Sequence, residues 1–415
     1  MDTPRTLITV PSLYGLERSG DVEKLVELLR ESDNETIRRR AAEILGDLDD
    51  PESAGIDALV GAMSDESETV RAAAIDALTQ QEAVEALMKG LGQEVPDSGA
   101  SWAQAEAFVE NLASDTTELR MAAANVLGLL GVEESARPLA KRLQSEPHPE
   151  VRARIARALG RIGDPAVAGV LVDCLANQPL KVRREAAEAL GRLNGKQALQ
   201  GLLRVVDDEN EAMRRTAVSS LGQFETAEPV DALVERLGDD SDLVRRAAVF
   251  SLIEILSNVP PDRSHELRET IVDRMAARSD PSIVASLVEI VEEGSQIHQR
   301  RNAVWMLGRV AGDKTTKMDA VEALRNELGA DDDLLSQFAA TGLAEIGGRS
   351  VETSLLEVID TDEYSEGAVA MAAFALGKVG GDRSRQRLEK LVEDTENAEV
   401  RRRAFSAISK LGGRT

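Results

Sequence analysis

His148-Pro-Glu-Val-Arg-Ala-Arg-Ile-Ala-Arg-Ala-Leu-Gly-Arg-Ile-Gly-Asp-Pro165 is the stretch on which the fold turns. Pro149 suits the first turn of a helix, where its missing N–H removes no hydrogen bond. Val151, Ile155, Leu159 and Ile162 then recur at helical spacing and define one apolar face. Gly163-Asp-Pro165 stops this helix and starts the next. The skeleton beneath it is Val-Arg-x-x-Ala-x-x-x-Leu-Gly.

Variants of that skeleton recur along nearly the whole chain. With its Arg as position zero, an apolar residue stands at −1, usually Ala at +3, Leu or Ile at +7 and often Gly at +8. The anchors are Arg38, Arg71, Arg120, Arg152, Arg183, Arg214, Arg245, Arg300 and Arg401, with weaker copies centred on Ser336 and Val369. From Arg120 to Arg245 the spacings are 32, 31, 31 and 31 residues. Each interval has room for two helices, and a series of such units stacks into one elongated body instead of closing around a single core. The longer intervals, 49 residues from Arg71 to Arg120 and 55 from Arg245 to Arg300, mark irregular insertions near 80–112 and 257–295. The first contains the turn-rich run Glu94 to Trp102. The second is either a degenerate repeat or one inserted helix. Residues 1–20 read as an N-terminal cap or lead, and 21–415 as a continuous repeat array.

In unit five, Asp164-Pro165 starts the first helix, and Val182, Ala186, Ala189, Leu190 and Leu193 form the apolar face of the second. Gly191 and Asn194-Gly195 stand near the end of that second helix, where Gly favours a stop. Only 2% of the 415 residues are aromatic, so the interior must be built from Leu, Ala, Val and Ile. The formal charge is −25, and 10 of the 49 basic residues are Lys. An acidic, Lys-poor surface fits a protein working in very concentrated salt, where self-repulsion is screened. It disfavours non-specific binding to nucleic acid or anionic membrane. There is no apolar run of membrane-spanning length and no signal-peptide pattern, so a cytoplasmic location is expected. The single Cys174, in a leucine-rich context, reads as a buried core residue.

Residues 148–175, and even more closely Val182 to Gly191, resemble a HEAT repeat of the phycobilisome-lyase-like subtype. The resemblance covers roughly 21–415, with gaps at the two insertions. It implies an all-α, right-handed solenoid of about eleven to twelve helical hairpins. It also implies that the zero-position arginines are structural, pairing with carboxylates or carbonyls between repeats. The subtype takes its name from lyases acting on bilin pigments, so an accessory role in modifying a protein or tetrapyrrole is the alternative reading. The HEAT-like deoxyhypusine hydroxylases bind two irons through several His-Glu pairs. Here only His265-Glu266 forms such a pair among three histidines, so neither a metal nor any other cofactor is expected.

What remains free for function is the groove side of the second helices. A helical wheel at 100° per residue turns −1, +3, +7 and +10 inward and +2, +5 and +9 toward the groove. In units four and five the groove residues include Arg154, Arg157, Arg161 and Arg192, a basic cluster. From Phe250 onward they include Trp305, Phe338, Met371 and Phe374, with Arg309 and Lys378 as flanking charges. Apolar stripes of this kind mark partner surfaces, and aromatics with Arg are typical anchors. The expectation is a non-enzymatic protein-binding scaffold or adaptor, of the kind used in signalling or motility. Arg-Arg pairs at 183–184, 214–215, 245–246, 300–301 and 402–403 raise nucleic-acid binding as a lesser reading.

Overall fold

The computed structural model describes residues 10–92, 101–258, 261–278, 280–311 and 314–412. Most of the run from Glu94 to Trp102 lies outside the described residues. Among those described, the chain forms 25 α-helices joined by turns and three short 3-10 segments. They fall into two compact units, residues 1–205 and 206–415.

The second helix of each repeat takes the name of its anchor residue. In the first unit the Arg38 (Glu35–Asp47), Arg71 (Glu68–Gln80), Arg120 (Thr117–Leu130), Arg152 (Pro149–Ile162) and Arg183 (Leu180–Leu193) helices pack each on the next. In the second unit the Arg214 (Glu211–Gly222), Arg245 (Asp242–Asn258), Arg300 (Ile297–Val310), Ser336 (Asp333–Ile346), Val369 (Glu366–Val379) and Arg401 (Ala398–Gly412) helices do the same. The apolar positions go where the wheel puts them: Val151, Ile155 and Leu159 are buried, as are Val182, Ala186, Leu190 and their counterparts. The Asp164-Pro165 start holds, but it opens as a 3-10 turn (Pro165–Val167) capped by Asp164, before the short Ala168–Asp173 helix. Cys174 closes that helix, and burial beside Asp173 pushes its thiol up to about 11.

Both long intervals contain two helices where a regular one has a single helix. Val84–Gly90 and Ser101–Asn111 lie between the Arg71 and Arg120 helices. Pro261–Ala276 and Pro281–Glu293 lie between the Arg245 and Arg300 helices, and Pro281–Glu293 packs against both. The open choice over 257–295 therefore resolves as one added helix.

The glycines at +8 need a different account from the one the sequence suggests. Gly191 is not a stop: it is buried inside its helix, which runs on to Leu193. Its equivalents show why the position is small. A Cβ on Gly160 would sit 2.6 Å from the Cα of Ala189, one on Gly128 2.8 Å from that of Ala158, and one on Gly377 2.7 Å from that of Ala407. In each case the +8 residue of one second helix crosses the +6 residue of the next. Gly160→Val is expected to cost about 2–3 kcal/mol through overpacking. Gly61, inside the Glu52–Ala62 helix, has open space where a Cβ would go, with nothing within 4 Å. Gly61→Ala should therefore gain up to about 1 kcal/mol. Paired denaturation curves check both signs, and equal responses would remove the crossing as the reason for Gly at +8.

Candidate functional site

The zero-position arginines are fixed in place before any surface is considered. Arg38 grips the Asp65 carboxylate through two hydrogen bonds of 2.8 and 2.9 Å and donates to the Ser32 carbonyl at 2.9 Å. Arg71 donates to the carbonyl of the same Asp65 at 2.9 Å. Glu146 repeats the arrangement, its carboxylate held by Arg120 and its carbonyl by Arg152. Asp239 does so for Arg214 and Arg245. One acidic residue thus joins two successive anchors. Where an added helix interrupts the series, the acceptor comes from elsewhere: Glu118 for Arg71 and Asp280 for Arg245. The Arg38 hydrogen bonds hold the Asp65 carboxyl below its usual range. For Glu146 and Asp239 burial acts upward, but the guanidinium and backbone donors outweigh it and both are lowered.

The groove positions converge as the wheel requires. Arg40, Glu43, Asp47, Asp76, Gln80 and Arg154 all line one cleft of about 700 Å³ in the first unit. Half of the basic cluster expected there is engaged, however. Arg154 is not available to a partner: it is 1% exposed. Its guanidinium crosses the Arg120 helix to bond Asp76 at 2.9 and 2.6 Å and the Ala72 carbonyl at 3.2 Å, and turns back to Glu150 at 3.0 Å. Asn125, on the helix it crosses, donates to the same Asp76 at 2.8 Å. Arg157 is half-buried and paired with Glu185 at 3.0 Å. Arg161 and Arg192 remain exposed, with no ion pair among the described residues. Partial burial and the charges of Arg157 and Arg192 hold the Arg161 guanidinium below its usual range.

In the second unit the aromatic stripe is neither buried nor bare. Phe250 is 36% exposed, and Trp305, Phe338, Met371 and Phe374 are half-buried. Three of the rings carry cations. The Arg246 guanidinium lies 5.6 Å from the Phe250 centroid and Arg309 4.0 Å from the Trp305 ring. Lys378, Lys410 and Arg403 approach Phe374 at 4.8, 5.3 and 5.6 Å. Arg309 and Lys378 therefore cap rings, a closer role than the flanking one expected from the sequence. Each cation–ring contact of this kind is worth about 0.5–1 kcal/mol at exposed sites. The signal was present in the sequence: Arg246–Phe250, Trp305–Arg309 and Phe374–Lys378 are each four residues apart on one helix face. Two exposed aromatics escaped the groove rule, Phe405 at 60% and Trp102 at 65%.

Four of the five Arg-Arg pairs are neutralised beyond the anchor, and Arg215 of the fifth has no ion pair among the described residues. Arg184, Arg246, Arg301 and Arg403 each face a carboxylate, of Glu188, Glu289, Asp332 and Glu399 respectively. Among the described residues no cluster of three or more His, Cys, Asp or Glu is arranged to hold a metal ion. No described helix is long and apolar enough to cross a membrane.

The family model for HEAT repeats matches residues 22–107, 105–187, 177–253 and 321–409. The chain belongs to the HEAT-repeat family. The unmatched residues 254–320 of this HEAT-repeat protein contain the second added helix. A HEAT repeat-containing taxis protein of Halobacterium salinarum is 83% identical over 406 residues, covering 98% of this chain and all of the relative. That organism agrees with the high-salt reading of the composition. Among solved structures, an engineered protein aligns at 22% identity over 94% of this chain and 99% of its own (TM-score 0.41). The complex of CpcE and CpcF of phycocyanin lyase from Nostoc sp. aligns at 20% identity over 67% of this chain and 96% of its own (TM-score 0.36).

Proposed function

We infer that this HEAT-repeat protein is a non-enzymatic adaptor in taxis signalling, and that the cation-capped aromatics of its second unit are the face that engages a protein partner. The end-to-end identity with a taxis protein supports the process. The observation that carries the surface is the repetition of ring plus cation on the Arg245, Arg300 and Val369 helices, at wheel positions facing one side. A surface of this type suits work in concentrated salt. At 1 M the Debye length is about 3 Å, so long-range attraction is lost while contacts at van der Waals distance persist. Apolar rings give affinity and their capping cations give direction, spread over several repeats instead of one pocket.

Phe250→Ala and Arg309→Gln test this: Phe250 is already exposed, and Arg309→Gln removes the ring cation and its pair with Glu345 without setting two carboxylates together. Each substitution is expected to weaken capture of the taxis partner by about 2 kcal/mol, roughly 30-fold, at native salt. Ring expansion on soft agar should fall accordingly in cells carrying the variant chromosomal copy. Normal taxis in a strain lacking the protein would overturn the process. Normal capture by both folded variants would overturn the surface.

A further inference from the structure

The first unit carries an apolar groove on the side away from the anchor helices, between the added helix Ser101–Asn111 and the helix Ala136–Ser145. The added helix packs on the Arg120 helix and on the 3-10 turn Glu133–Ser135. It leaves two adjoining cavities of about 560 and 400 Å³ that share Val109 and Pro138 as their floor. Trp102 stands at one end, 65% exposed, with Glu106 and Glu134 beside it. Leu112 lies toward the other end, rimmed by Arg137, Lys141 and Arg142. Arg142 is committed to Glu146. Arg137 and Lys141 are exposed and have no ion pair among the described residues.

Free cations beside apolar surface are unusual in a chain of net charge −25, where carboxylates outnumber bases 74 to 49. They select the occupant. A second copy of this acidic chain would present mostly like-charged neighbours at the Glu106–Glu134 end, whereas an apolar segment with acidic residues confined to one end meets Arg137 and Lys141 there and brings no carboxylate to Glu106 and Glu134. The groove runs along an 11-residue helix, about 16 Å, which accommodates roughly three turns of a partner helix. Side chains of a partner helix settle between two neighbouring helices in this way. We propose that this groove docks a short amphipathic helix of a partner protein, with an apolar stripe on Val109 and Pro138, Trp102 covering one end, and acidic residues at the other end paired with Arg137 and Lys141. It is a different surface from the aromatic stripe and does not depend on it. Together they would let one chain hold two proteins at once.

The probe is a fluorescein-labelled 14-residue helical peptide with Leu at i, i+3 and i+7 and Glu at one end, compared with its Lys-for-Glu twin. Anisotropy is read on the full-length protein at native salt. The Glu peptide should bind saturably, at least tenfold tighter than its Lys twin. R137E/K141E should weaken it about tenfold and invert the preference between the two peptides, while W102A should weaken both. Circular dichroism melts matching wild type certify the variants as folded, since these side chains are exposed. Equal affinity for the two peptides, no effect of R137E/K141E, or no binding of the Glu peptide would each overturn the assignment. So would light scattering that shows self-association abolished by W102A, which would place a second copy in the groove. Phe250→Ala should leave peptide binding unchanged, which separates failure here from failure of the aromatic surface.

Discussion

Glu146→Ala should destabilise the first unit by about 3–5 kcal/mol. The carboxylate is fully buried and accepts from Arg120 at 3.0 and 3.1 Å, from Arg142 at 2.7 Å and from the His148 N–H at 2.9 Å. Removing it leaves the buried Arg120 guanidinium with backbone and hydroxyl acceptors only. An uncompensated buried charge is what makes loss of one partner so costly, whatever the intact pair contributes net. Glu146→Gln keeps the shape and loses the charge, so it should fall between wild type and Ala. Urea titration by circular dichroism checks the order, and an Ala variant within about 1 kcal/mol of wild type would show that the acid link carries no stability. A pH dependence follows from the same residue. Its folded carboxyl lies below the unfolded value, as do those of Asp65 and Asp239. Stability from all three is complete above the unfolded carboxylate range, about pH 4, and is lost as pH falls through the lowered folded values. Glu146→Ala should flatten that acid limb.

Arg154→Ala should cost about 3 kcal/mol, while Arg161→Ala and Arg192→Ala on the same groove should stay within about 0.5 kcal/mol of wild type. Arg154 supplies three charge-assisted contacts that join the Arg152 helix to the Arg71 helix across the one between them, and a fourth to Glu150 on its own helix. Without it, the Asn125 amide still donates to Asp76, but the bidentate guanidinium contact is gone. Hydrogen exchange should speed up in both 68–80 and 149–162, not in the Arg152 helix alone. Stability close to wild type, with exchange unchanged at 68–80, would return Arg154 to the pool of partner-facing residues.

These two arginines mark where sequence reasoning succeeds and where it stops. Repeat spacing and the helical wheel are local properties, so the groove-facing direction of Arg154 could be read directly, while the anchor role of Arg120 was implied by the resemblance to HEAT repeats. The acceptor of Arg154 lies 78 residues away, and no periodicity names it. Gly160 is similar. Its smallness is visible, but the reason is a backbone contact with Ala189 that exists only once helices are stacked. The ring-capping cations lay within reach, because their four-residue spacing is a helix-surface rule. The Trp102 groove did not, since it arises where an added helix breaks the regularity from which the repeats are recognised.

The residues that serve two anchors at once, Asp65, Glu146 and Asp239, also bear on how such a chain can lengthen or shorten. Each gives its side chain to the preceding anchor and its backbone to the following one. A duplicated block of one repeat, wherever its ends are cut, carries one complete donor half and one complete acceptor half. It can rejoin its neighbours in register without any matching change elsewhere. The backbone half is indifferent to side-chain identity, so a newborn copy stays anchored while its acidic residue drifts or is replaced, as Glu118 and Asp280 replace it beside the two added helices. The fold is in this sense tolerant of copying errors. Differences in the number of repeats between relatives should fall on whole units, wherever within the repeat their breakpoints lie.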